Sequence, residues 1–109
     1  MRGFTALSDR VAMPVMIDLL NRYFDCQVPG ILERGGEVLE IMGDGLLAMF
    51  PIDYESETHK VCADALATAL EARTKIASID LTGIEEVGEI GFGLALHVGE
   101  VLYVQQWRW

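Results

Sequence analysis

Two short apolar runs, 37–42 and 46–51, meet at Gly43-Asp44-Gly45. Asp-Gly between apolar segments of this length is a strong two-residue hairpin signal, because glycine reaches the positive φ that a tight reversal demands. The spacing therefore predicts two antiparallel strands, Glu37–Met42 and Leu46–Pro51, and any fold for the chain must accommodate that hairpin.

Helical periodicity flanks it on both sides. Apolar pairs recur four residues apart at Val15/Met16, Leu19/Leu20 and Tyr23/Phe24, with Asp18, Arg22 and Asp25 on the other side, which predicts an amphipathic helix from about Pro14 to Gln27. Pro14 suits a first helical turn, Pro29 interrupts, and a helical continuation runs to Arg34, where Gly35-Gly36 ends it. A second helix is predicted over Glu57–Ala77, its apolar stripe Val61, Cys62, Ala65, Leu66, Ala69, Leu70 and Ile76, with Glu71 and Lys75 as an i,i+4 pair. Beyond it the acidic, glycine-punctuated stretch Ser78–Glu89 reads as a mobile loop, and Ile90–Val98 with Val101–Val104 as a second hairpin turning at Gly99-Glu100.

Helix, hairpin, helix, hairpin is an α+β order, with helices covering one face of an antiparallel sheet. A split βαβ arrangement also needs a strand before the first helix, and Met1–Thr5 supplies no more than its last residues. At 109 residues the chain has material for one core. Its half-hydrophobic composition excludes a disordered tail.

Seventeen acids against eight bases give a net charge of −9, which disfavours nucleic acid and anionic membrane as bulk partners. An anionic ligand would need a local site, with a metal ion or oriented backbone N–H groups offsetting the acidic background. The longest apolar stretch, Ile41–Ile52, is interrupted by Asp44, and no basic-then-apolar leader opens the chain, so neither a membrane span nor a signal peptide is expected. Cys26 and Cys62, 36 residues apart and set among apolar neighbours, read as buried reduced thiols.

Three features invite chemistry. Arg2-Gly3-Phe4-Thr5 is a glycine turn leading toward a helix and could offer backbone N–H groups to phosphates, although such turns more often only reverse the chain. Asp44 between two glycines is a carboxylate that a metal ion could approach closely, or plain turn chemistry. Strand alternation puts Glu40 on one face with Val38 and Met42, an acid among apolar neighbours. By contrast, Gly35-Gly36-Glu37 lacks the second acid of a Gly-Gly-acid-acid signature, and His59 and His97 have no partners near in sequence.

Taken together, Arg2-Gly3-Phe4-Thr5, Leu19-Leu20-Asn21-Arg22-Tyr23-Phe24, Gly35-Gly36-Glu37-Val38, Ile41 through Phe50 and Leu96-His97-Val98-Gly99-Glu100-Val101 closely resemble the class III adenylate/guanylate cyclase catalytic domain, in its bacterial form. The resemblance implies a ferredoxin-like antiparallel sheet lacking its first strand and C-terminal part, with residues 1–103 a partial domain and 104–109 a tail outside the family pattern. It implies formation of a 3′,5′-cyclic nucleotide and pyrophosphate from ATP or GTP, on two Mg²⁺ or Mn²⁺ ions, in a cytoplasmic homodimer. Asp44 would be a catalytic metal ligand, the Gly3-Phe4-Thr5 backbone and Gly43 would meet phosphates, and Glu40 would face the base, leaning toward guanine. The other metal aspartate of the family would lie two residues before Arg2, and the family's Asn and Arg beyond Tyr103. The resemblance therefore implies that this chain alone is inactive; a non-catalytic dimerisation or regulatory module is the alternative, and a marginally stable gene remnant a third reading.

Overall fold

The computed structural model describes residue 1 and residues 3–99. In order, they form α1 (Phe4–Arg10), α2 (Met13–Asp25), α3 (Val28–Glu33), β1 (Glu37–Met42), β2 (Gly45–Met49) and α4 (Thr58–Ala77), with single 3₁₀ turns at Glu55–Glu57 and Glu85–Val87. The architecture is α+β, with β1 and β2 as an antiparallel pair and the helices beside it.

The expected first helix is present as α2 and α3, both carrying proline in the first turn, where the missing N–H costs nothing. At the end of α3, Gly35 takes φ 80° and its N–H donates to the Leu32 carbonyl at 3.2 Å, while the Gly36 N–H donates to the Ile31 carbonyl at 2.8 Å. That pair of bonds is a Schellman closure, the helix-ending role read from the two glycines.

Four expectations need correction. Phe4 and Thr5, read as part of a turn and the end of a strand, instead open a helix that runs to Arg10, with Gly3 at φ 71° immediately before it. Here Phe4, Leu7 and Val11 fall at helical spacing and dock on one apolar cluster. The stretch 78–89 is not a loose loop, since Ile84 and Val87 are only 3% and 2% exposed. Its apolar residues Leu81, Ile84, Val87 and Ile90 recur every third residue, the period of the 3₁₀ turn that carries two of them inward.

The apolar stripe of α4 is also rotated from the one expected. Thr68, Ala69, Ala72 and Ile76 are buried, whereas Leu66 and Leu70 face outward at 48% and 42% exposure. Small side chains on the inner face let α3 come close, and a Cβ added at Gly30 would already touch the Glu71 carboxylate at 3.5 Å and the Thr68 methyl at 3.8 Å. Lastly, the expected strand over Ile90–Val98 is not formed among the described residues, and Leu94, Leu96 and Val98 are 50–59% exposed. Its proposed partner Val101–Val104 and the tail 104–109 lie outside the described residues.

The main core joins Leu7 of α1, Met16 and Leu19 of α2, and Ile84 and Val87 of the acidic segment. Two arginines fasten that segment. Arg22 donates to the Asp80 and Thr82 carbonyls, each at 2.9 Å, while Arg10 donates to those of Glu86 and Val87 at 2.8 and 3.0 Å. On the other side of the molecule α3 and α4 are joined by Arg34 to Glu71 at 2.7 Å, and Lys75 meets the same carboxylate at 2.9 Å, the i,i+4 pair predicted. Both cysteines are free as expected, but half-buried rather than fully enclosed.

Candidate functional site

The hairpin places Asp44 at its tip. Met42 pairs with Gly45, so the two turn residues are Gly43 and Asp44, one position earlier than the Asp-Gly signal suggested. Gly43 takes φ 59°, and no residue other than glycine has positive φ among the described residues. A glycine-first reversal of this kind leaves Asp44 in a relaxed backbone conformation with its carboxylate half-exposed.

Folding brings this carboxylate to the start of the chain. The Met1 backbone nitrogen lies 3.1 Å from Asp44 Oδ2, so Met1, two positions before Gly3, and the hairpin tip, some forty positions apart, share one location. Gly3 stands immediately before α1, and Phe4 and Thr5 occupy its first turn. Gly3 also lines a small cavity of about 170 Å³ between α1 and the acidic segment, with Leu7, Arg10, Val87 and Glu89 among its walls.

Glu40 stands elsewhere than the alternation predicted. The ladder pairs Val38 with Ala48 but Glu40 with Leu47, so Leu39 is an extra residue and the strand bulges there. Because neighbours on β2 point to opposite faces, the bulge puts Glu40 with Met42 and Leu47, and moves Val38 to the other face with Ile41 and Leu46. Glu40 is itself exposed, and apolar groups stand open on both faces, Met42 and Leu47 at 53% and 48% beside it and Ile41 at 53% on the other. The acid is solvated, which removes the reason to call it anomalous.

Tyr23 is a neighbour that periodicity identified only as a core residue. It is 2% exposed and meets the rings of Phe24 and Phe92 edge-on at 5.6 and 6.1 Å. Burial first, and the Asp44 carboxylate second, push its phenol up to about 12. Buried Tyr23 and half-buried Phe24 and Phe92 thus form an aromatic cluster of α2 and the segment after α4. Its sequence signal was the Tyr-Phe pair of the α2 stripe, which gave burial without the electrostatic neighbour.

Among the described residues, nowhere do three or more His, Cys, Asp or Glu side chains gather in a geometry that could hold a metal ion. Asp44 supplies one carboxylate. A hydrated Mg²⁺ or Mn²⁺ shared with substrate phosphates can be held by one or two carboxylates, so Asp44 fits one such role. No helix of the described residues is long and apolar enough to cross a membrane.

No protein-family model matches the chain, and no solved structure matches it. Curated proteins do. It is 28% identical over 101 residues to an adenylate cyclase of Anabaena cylindrica, covering 93% of this chain and 20% of that protein. It is 23% identical over 101 residues to the terminal-differentiation specific adenylate cyclase of Dictyostelium discoideum, covering 93% and 5%. To adenylate cyclase type 10 of Rattus norvegicus it is 24% identical over 104 residues, covering 88% and 6%. The chain spans a fifth or less of the length of these relatives, and the relationship runs over nearly all of the chain.

Proposed function

We propose that this chain is a segment of a class III purine nucleotide cyclase domain, taking ATP as the intact domain's substrate and forming a 3′,5′-cyclic nucleotide with release of pyrophosphate. The observation that carries the reading is the meeting of Asp44 with the segment entering Gly3-Phe4-Thr5, in a chain related throughout to proteins named adenylate cyclases. In this reading Asp44 would hold a divalent ion, which would supply charge neutralisation at the triphosphate, and Gly43 would leave room for the ion and phosphates. The backbone N–H groups at Gly3, Phe4 and Thr5 donate hydrogen bonds to terminal phosphate oxygens. The ion, Mg²⁺ or Mn²⁺, offsets the charge that a −9 chain and a triphosphate would otherwise oppose.

The polypeptide of 109 residues binds in this reading but does not turn over alone. Two-metal activation of a hydroxyl for attack on phosphorus needs several ligating side chains held together, and no group of three or more is gathered among the described residues. The intact domain works as a cytoplasmic homodimer, a state consistent with the apolar side chains that β1 and β2 leave open.

Titration calorimetry with a non-hydrolysable ATP analogue and Mn²⁺ tests the reading. Binding is expected, weakened about tenfold or more by Asp44→Ala, with no cyclic nucleotide formed from ATP. Equal affinity of the two proteins would instead favour a non-catalytic dimerisation or regulatory module. Glu40 supports a second reading of the base, since a carboxylate accepts from guanine N1–H and the 2-amino group. Comparing ATP and GTP analogues on the unsubstituted chain and Glu40→Lys decides it: a GTP preference that reverses in the variant would replace ATP with GTP.

A further inference from the structure

Helix α1 has seven residues, too few to be stable on its own propensity, so something else must fix where its first turn points. On its inner side Leu7 packs against Ile84 and Val87, with Met16 and Leu19 behind. At its last residue Arg10 reaches the same acidic segment, its two terminal nitrogens donating to the Glu86 and Val87 carbonyls at 2.8 and 3.0 Å. Those carbonyls belong to the 3₁₀ turn Glu85–Val87, which has no long helix of its own to absorb them. A guanidinium suits the task because its rigid planar fork presents separate nitrogens to two neighbouring acceptors, whereas an ammonium offers rotatable donors from one nitrogen on a flexible stem.

The segment so held is itself rigid. Asp80 accepts from the Thr82 N–H at 2.9 Å and from its hydroxyl at 2.6 Å, Glu85 accepts from the Gly83 N–H at 3.0 Å, and Arg22 anchors the beginning of the segment to α2. Arg10 therefore ties α1 to a braced surface, and does so from the end of the helix opposite Gly3.

We infer that Arg10 is a positioning residue for the nucleotide site: by clamping the C-terminal end of α1 to the Glu85–Val87 turn it sets the direction of the Gly3-Phe4-Thr5 backbone relative to Asp44. It touches no part of the nucleotide and acts through α1. The inference rests on the reading of Gly3–Thr5 as a phosphate contact given above.

Hydrogen exchange and calorimetry on the full chain test it, using Arg10→Ala, Arg10→Lys and, as a charge-matched control, Arg73→Ala on the exposed side of α4. Arg10→Ala is expected to speed exchange in both α1 and residues 84–90 about tenfold, leaving α4 unchanged, and to weaken Mn²⁺–ATP-analogue binding about five- to tenfold. Arg10→Lys is expected to fall between, since it keeps the charge and loses the fork, and Arg73→Ala to bind like the unsubstituted chain. Unchanged exchange in Arg10→Ala overturns the clamp. Faster exchange with undiminished binding overturns the positioning role alone, while an unsubstituted chain that binds no nucleotide overturns the parent reading and this role with it. A loss of affinity shared equally by Arg73→Ala overturns it too, by showing that net charge is what counts.

Discussion

Gly36 is where one added methyl group meets the most resistance. A Cβ there would lie 2.8 Å from the Ile31 side chain, 2.9 Å from the Phe50 ring and 3.0 Å from the Ile31 carbonyl. Gly36→Ala is therefore expected to destabilise by about 1–3 kcal/mol, read as a lower urea midpoint at unchanged slope. Gly43 differs: nothing lies within 4 Å, but φ is 59°, so Gly43→Ala carries backbone strain of about 1–2 kcal/mol without a clash. Leu19, wholly enclosed between α1 and the acidic segment, should cost about 2–5 kcal/mol as Leu19→Ala. Tyr23 sets an alkaline limit. Its folded phenol ionises at about 12 against an ordinary 10.0, so the unfolded chain loses that proton first and stability falls as pH rises from 10 toward 12. Unfolding followed across that range should show a steeper loss in the native chain than in Tyr23→Phe.

Between elements, the α3–α4 junction depends on a shared carboxylate. Lys75 and Arg34 both hydrogen-bond Glu71 and hold it below the usual glutamate range; Asp80 and Glu85 are lowered too, chiefly by the Thr82 hydroxyl and the Gly83 N–H. Each carboxylate lowered in the folded state contributes stability above its ordinary pKa, and that contribution disappears as pH falls through the folded value. A decline in thermal midpoint is therefore expected below about pH 5, shallower in Glu71→Gln. Because all three groups are exposed at the surface, salt should reduce the effect. The bulge at Leu39 belongs to this scale as well. One extra residue reverses which acids and apolar groups share a face, and that choice follows from pairing with β2 and has no marker in the strand's own residues.

As a whole the molecule is flat and open, 47 × 38 × 20 Å with a radius of gyration of 15.8 Å. A compact chain of this length would measure about 13 Å. Apolar groups are left outside: Ile41, Met42 and Leu47 on the hairpin, and Leu94, Leu96 and Val98 after the acidic turn. Among the described residues the sheet has two strands, whose edges and exposed apolar side chains can pair with another chain. The isolated polypeptide should self-associate with rising concentration in sedimentation velocity. Ile41→Lys with Leu47→Lys should shift it toward monomer; unchanged association would show that the hairpin faces are not the contact.

The local signals were read correctly where one stretch of chain contained both the pattern and its partner. The hairpin closed at its glycines, the proline-led helices began where proline fits, Gly35-Gly36 ended α3, and Glu71 met Lys75 one turn away. Asp44 too was legible, because a carboxylate between two glycines at a reversal is exposed by that geometry alone. Only the tertiary structure decided which face of α4 is buried, which way Glu40 points, and that an acidic, glycine-punctuated segment would supply two of the five buried residues of a core. It alone brought Asp44 to the segment before Gly3, and Arg10 to the Glu85–Val87 turn. The physical reason is common to these cases: periodicity reports how a segment can be amphipathic, whereas the side that is covered, and the acceptor an arginine finds, depend on residues far along the chain.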